Sequence, residues 1–183
     1  MPSLYRVLPY LAAANAGEPG HPLYVPVSTG ANRIDNPDAY DTLYLGDDPL
    51  CAVAEAFGWA SRWNAGLLRG TPALGGSVRA LVSYDLDDDA AVCDLDDSDR
   101  LVDLGLRPSR VVTRDRSATQ AWARDLFDTG EFAGVRWWSY YNPDWGSVGL
   151  WDTAALAVAK VSVLTTDHPL FVAAAAEIVR VIE

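Results

Sequence analysis

Cysteine and histidine are scarce in this chain: Cys51, Cys93, His21 and His168 are the full set. Neither cysteine belongs to a C-x-x-C pair, so the ligands of a structural zinc site are missing. Two reduced, buried thiols are the expected state, as in a reducing cytoplasm. Both histidines adjoin prolines in turn-like settings, which leaves no candidate for a Ser-His-Asp triad. Long apolar runs are also lacking. No stretch approaches the roughly 18 residues of a membrane span. Val7–Ala14 is apolar, but Pro9 interrupts it and only Arg6 precedes it, a poor fit to a secretory signal. Basic residues are few, with 14 against 25 acids and a net charge of -11. Such a surface repels a phosphate backbone, so direct nucleic-acid binding is not expected. Lys160 is the only lysine, a usage that coding bias explains. The common phosphate, dinucleotide, zinc-protease and serine-hydrolase motifs do not occur.

With 183 residues, half of them hydrophobic, the chain is long enough for one core without metal or disulfide. Residues 3–8 alternate as a strand. Residues 15–42 are rich in Gly, Pro, Asn and Asp and read as a long irregular connection, with a strand expected at 23–27. Ordered loops of that length are often functional. A short strand follows at 42–45. Asp48 as cap, Pro49 in the first turn, and the stripe Leu50, Val53, Ala54, Phe57 predict a helix reaching about Trp63. Residues 66–76 read as loop and 78–86 as a strand.

Nine aspartates crowd residues 85–103. They do not make an EF-hand loop, because Ala90 stands where its glycine is required, and a solvated acidic face is expected. Short strand pieces are expected at 92–95 and 101–104. Ser117 with Gln120 three residues later has the form of a capping box. It predicts a helix to about Asp128, with Gly130 just past its end. Strands are expected at 134–141 and 148–151 around the Asn142-Pro143-Asp144 turn, and at 155–164. In the first of these, Trp137, Ser139 and Tyr141 share one face while Trp138 and Tyr140 share the other. A last helix starts at Asp167 or His168. The irregular mixture of strands and helices predicts an α+β fold.

Three segments carry chemistry. They are Asn32-Arg33-Ile34, then Leu43-Tyr44-Leu45-Gly46-Asp47-Asp48-Pro49 running into Ala52-Val53-Ala54-Glu55, and Gly134-Val135-Arg136-Trp137-Trp138-Ser139 followed by Val148-Gly149-Leu150-Trp151. In this order and spacing they resemble the RES domain, as do Tyr5-Arg6 and Thr119-Gln120-Ala121-Trp122-Ala123. The resemblance spans nearly the whole chain and implies a single RES-like domain over 1–183 with an ADP-ribosyltransferase-like fold. It implies an NAD-degrading toxin of a bacterial toxin–antitoxin pair, cytoplasmic, partnered by an antitoxin with a helix-turn-helix domain. A homodimer within such a complex is compatible with it. NAD would be the substrate, with inorganic phosphate or water as acceptor and no resident cofactor or metal. Carried over by position, Arg33, Glu55 and Ser139 are the implied catalytic residues, and Arg33 and Tyr44 bind substrate. The family often has an aromatic after the motif arginine, where this chain has Ile34. That departure favours an alternative, a non-catalytic interaction module; ADP-ribosyl transfer to a macromolecule is another.

The residue types suit the chemistry. Cleaving the nicotinamide–ribose bond builds positive charge on the ribose, which a fixed carboxylate such as Glu55 stabilises. A guanidinium such as Arg33 matches phosphate oxygens in paired hydrogen bonds. Tyr44 can stack on nicotinamide or bond the ribose. Ser139 can position the carboxylate or a ligand hydroxyl, but no base is visible that would make it a nucleophile. Glu55 lies about 140° around its helix from Leu50, so it faces either solvent or a cleft.

Overall fold

The computed structural model describes all 183 residues. A seven-stranded sheet runs in the order β5-β6-β7-β2-β1-β4-β8, with a two-stranded parallel ribbon, β3-β9, beside it. The strands are β1 (Ser3–Tyr10), β2 (Leu43–Gly46), β3 (Arg62–Trp63), β4 (Val78–Leu86), β5 (Val92–Asp94), β6 (Gly134–Trp138), β7 (Gly146–Leu150), β8 (Leu156–Val163) and β9 (Val181–Ile182). The helices are α1 (Pro49–Phe57), α2 (Ser98–Asp103), α3 (Pro108–Val111), α4 (Arg116–Asp128) and α5 (Pro169–Glu177). Only β5 and β6 pair in parallel in the large sheet, so the expected mixed α+β architecture is the one observed. No helix is long and apolar enough to cross a membrane.

Alternation along the strands divides the core. Leu4 and Leu8 of β1 pack with Leu43, Leu45, Val82, Tyr84, Val148 and Leu150 on one face. Loop 15–42 covers that face. It forms no strand at 23–27; Leu23 and Val25 pack on the core as coil, and the Tyr84 hydroxyl donates to the Pro22 carbonyl at 2.8 Å. On the opposite face, α1 and α5 enclose Phe57, Trp63 and Phe171, whose rings lie 4.8–5.7 Å apart. A third apolar cluster joins β5 and β6 to α4 through Ile34, Cys93, Val111, Trp122, Val135 and Trp137.

Several local expectations need correction. The helix after Asp48 stops at Phe57, not Trp63. The Trp63 indole N–H turns back onto the Phe57 and Ala60 carbonyls, and Arg62–Trp63 pairs with β9. Residues 101–104 are helical or in the cap of α2 rather than a strand: Asp97 caps the helix by accepting from Asp99 N–H, and Leu101 and Leu104 are spaced for one helical face. Asp115, not Ser117, caps α4. Its carboxylate accepts from Ala118 N–H at 3.2 Å and from the Ser117 hydroxyl at 2.7 Å, and Gln120 reaches another loop. The strand expected at 134–141 ends at Trp138, because the chain turns there: Tyr141 N–H donates to the Ser139 hydroxyl at 3.2 Å and Trp145 N–H to the Asn142 carbonyl at 3.1 Å.

Burial pushes the Tyr40 and Tyr84 hydroxyls and the Cys51 thiol up to about 12, the nearby Glu55 charge adding to the shift at Cys51, and it pushes the Cys93 thiol up to about 11. In the unfolded chain these groups ionise near their ordinary values, about 10 for tyrosine and 8.5 for cysteine. The native state therefore holds more protons above about pH 9, and stability must fall as pH rises through the folded values. All of this stability is present below about pH 8. Urea midpoints measured at pH 8 and pH 10.5 are expected to show a loss of about 2 kcal/mol or more; an unchanged midpoint would contradict the burial of these groups.

Candidate active site

The sheet forks between β1 and β2. β1 pairs with β4 along its full length but meets β2 only at Tyr5 and Gly46. β2 pairs with β7 throughout. Helix α1 packs on both arms of the fork, and a cavity of about 390 Å³ opens there. Gly46 sits at the junction, where a Cβ would crowd the Ala52 N–H and the Asp48 carbonyl at 3.0 and 3.1 Å.

α1 brings Glu55 into the cavity wall. Asp48 starts the helix by accepting from Leu50 N–H at 2.7 Å, and Cys51, Val53, Ala54 and Phe57 anchor its buried side. Glu55 thus leaves the apolar stripe and faces the cleft. Its Oε1 accepts from the Ser139 hydroxyl at 2.6 Å and from the Ser147 hydroxyl at 3.5 Å, while Oε2 has no partner in the protein. Ser139 is only 3% exposed and stands behind the carboxylate, accepting in turn from Tyr141 N–H at 3.2 Å. It holds Glu55 and does not line the cavity itself.

Arg33 enters from the long loop. Its Nη1 donates to the Val111 and Thr113 carbonyls at 2.9 and 3.0 Å, which fixes one edge of the guanidinium. Burial, then the charge of Arg116, holds its pKa below the ordinary arginine value, and Glu55 and Tyr44 act the other way. The loop conformation rests on Asp35, 2% exposed, which accepts from the Asn32 backbone and side chain at 2.9 and 3.1 Å and from the Tyr44 hydroxyl at 2.8 Å. Ile34 N–H donates back to the Tyr44 hydroxyl at 3.1 Å. Both bonding positions of that hydroxyl are committed to the loop, and burial raises its pKa strongly. The Tyr44 ring lines the cavity and meets Trp137 edge to face at 6.4 Å, so it offers a ligand an aromatic surface rather than a free hydroxyl.

The cavity therefore gathers Arg33, Tyr44 and Glu55, with Ser139 in contact through Glu55. Arg6, Arg116 and Ser147 also line it. Arg6 belongs to the Tyr5-Arg6 segment of the family likeness; Arg116, Ser147 and Asp35 carry no local signal in the sequence, and only the tertiary fold brings them to the site. Ile34 is fully buried, its Cδ1 occupying the space a side chain at Gly149 would need, so it lies in the core beside the cleft rather than in it. The aspartates of 85–103 form no cluster placed to hold a metal.

The architecture is a mixed α/β domain whose cleft lies in a forked sheet, consistent with the ADP-ribosyltransferase-like fold that the family resemblance implies. Residues 3–173 match the RES domain, and the chain belongs to that family. No curated protein sequence matches it significantly. Among solved structures, a chain of the crystal structure of the M. tuberculosis MbcT–MbcA toxin–antitoxin complex is similar, with a TM-score of 0.59 and 17% identity over 89% of this chain and 84% of that one. At that identity the likeness is one of fold.

Proposed function

We propose that this protein cleaves the nicotinamide–ribose bond of NAD and acts as the toxin of a toxin–antitoxin pair. The observation that carries this reading is the convergence of Arg33, Tyr44 and a serine-held Glu55 on one cavity, whose volume of about 390 Å³ lies in the range of small-molecule sites. Nicotinamide leaves as a neutral molecule, so the site needs no general acid. Glu55 presents a fixed negative charge to the ribose as positive charge develops there. Its position is set before substrate arrives, because Ser139 and Ser147 already hold Oε1. The Tyr44 ring provides a stacking wall, and the free edge of Arg33 takes a phosphate oxygen pair. Water or inorganic phosphate then accepts the ADP-ribosyl group at the anomeric carbon, giving ADP-ribose or its 1″-phosphate. The partner in this reading is an antitoxin with a helix-turn-helix domain, in the cytoplasm.

The departure at Ile34 that favoured a non-catalytic module concerns a core position packed on Gly149, so it removes nothing from the cleft. Transfer of ADP-ribose to a macromolecule would instead leave label from NAD on protein.

Arg33→Ala is expected to lower kcat/KM for NAD by about 10²-fold, the loss of a charge-assisted phosphate contact. Arg33→Lys should rescue little, since an ammonium cannot both bond the two loop carbonyls and present a paired edge. Wild-type kinetics in Arg33→Ala would remove it from the site. Induced expression of the isolated chain should arrest host growth, and Glu55→Gln should restore it; soluble expression of the wild type without growth loss would count against the toxin role.

A further inference from the structure

Arg116 is the first residue of α4, lines the cavity and is exposed. Its guanidinium makes no ion pair or hydrogen bond within the chain, although acids outnumber bases by 25 to 14. Arg136 is held by Asp47 and Asp94, Arg124 by Asp128 and Arg180 by the Gly58 carbonyl, and none of these three lines the cavity. Arg116 shares the cavity wall with Arg33, and the charge of each acts on the other there without a carboxylate paired to either.

The two guanidiniums are placed by one piece of structure. The carbonyls that hold Arg33 belong to Val111 and Thr113, and the same loop leads directly into α4 at Arg116. The first turns of α4 clamp the Arg33 loop in return. The Thr119 hydroxyl donates to the Arg33 carbonyl at 2.5 Å, and the Gln120 amide donates to the Gly30 and Asn32 carbonyls at 2.8 and 3.0 Å. Asn36 closes the clamp by donating to the Gln120 carbonyl at 3.0 Å. Arg33 is thus a fixed donor edge, and Arg116 is a cation free to move toward whatever that edge binds. Their charges oppose each other, and an anion between them removes the repulsion. Glu55, the carboxylate on the cavity wall, is tied back to Ser139 rather than to either arginine.

We propose that Arg33 and Arg116 form a two-guanidinium site for phosphate oxygens, with Arg116 as a substrate-binding residue supplied by α4. The ligand chemistry is a phosphate oxyanion, either the diphosphate of a dinucleotide or a free inorganic phosphate. The assignment of that anion to a reaction rests on the NAD-cleavage reading; the anion site does not.

The test uses the full folded chain, with Arg116→Gln set against Arg114→Gln. Arg114 is exposed, lies two residues away and does not line the cavity, so its substitution makes the same change in net charge. Calorimetric titration with inorganic pyrophosphate is expected to show binding to wild type, weakened about 10-fold or more in Arg116→Gln and little changed in Arg114→Gln. Steady-state nicotinamide release identifies the source of the anion. A KM for NAD raised about 10-fold assigns the site to the dinucleotide diphosphate. A raised KM for inorganic phosphate with an unchanged KM for NAD assigns it to the acceptor. No pyrophosphate binding by wild type, equal binding by wild type and Arg116→Gln, or equal weakening in both variants would overturn the proposal. Pyrophosphate binding that depends on Arg116, without any nicotinamide release, would sink the NAD reading and leave the anion site standing.

Discussion

Glu55→Gln is expected to lower nicotinamide release from NAD by on the order of 10² to 10³-fold while leaving the fold unchanged. The substitution keeps the shape and keeps an oxygen that can accept from Ser139 at the observed 2.6 Å. It removes only the charge. In the proposed chemistry that charge acts on a ribose carrying positive charge in the transition state and little in the ground state, so kcat should fall more than KM rises. Ser139→Ala does the converse, keeping the charge and releasing its anchor. A weaker loss, about 10-fold in kcat, is expected, because the Ser147 hydroxyl remains, at 3.5 Å. Full activity in Glu55→Gln with an unchanged circular dichroism spectrum would remove the carboxylate from the mechanism.

Arg136→Ala should cost stability rather than chemistry in the first instance. The Arg136 guanidinium donates to Asp47 at 2.8 Å, Asp94 at 3.0 Å and Asp96 at 3.2 Å. Burial alone would lower its pKa, but bonding to Asp47 and Asp94 outweighs this and holds it above the ordinary value. Its side chain is 22% exposed, so the pair energies are screened less than at an open surface. Removing it leaves three carboxylates facing one another without a cation. A loss of about 2 kcal/mol is expected, equivalent to a Tm lower by about 4–8 °C in a domain of this size. The damage should reach the cleft. Asp47 also accepts from Gly146 N–H at 2.7 Å and stands just before the cap of α1, so loosening it moves the helix that carries Glu55. Arg136→Lys should recover part of the stability, since one ammonium cannot span the three acids. A denaturation midpoint within about 0.5 kcal/mol of wild type would show that the network contributes little.

The legible parts of the sequence were those with strong local signals. The Asp48-Pro49 start of α1, the alternation of β1 and β4, and the mixed element order are all visible in the chain itself. The implied site residues Arg33, Tyr44, Glu55 and Ser139 came from the order of motifs, and nothing in their spacing said that one cavity would join them. The roles within the site were less legible. Tyr44 offered two uses, and the structure spends its hydroxyl on Asp35 and Ile34. Ser139 also offered two, and its burial behind Glu55 leaves the positioning one. Arg116 has no motif, because its relation to Arg33 depends on a loop more than 75 residues further along the chain. Short elements misled where two rules competed. Ser117 and Gln120 satisfy the capping pattern, yet Asp115 offers the stronger acceptor at the helix start, and Gln120 is drawn to the Arg33 loop. Leu101 and Leu104 fit a short strand piece as well as a helix, and the Asp97 cap decided for the helix.

The most direct test of the account is turnover of NAD by the folded wild-type chain, followed as nicotinamide by chromatography with and without inorganic phosphate. The wild type should release many equivalents of nicotinamide per protein, together with ADP-ribose or its 1″-phosphate, and Glu55→Gln should lower that release by on the order of 10² to 10³-fold. Folded protein that releases no nicotinamide under either condition would contradict it.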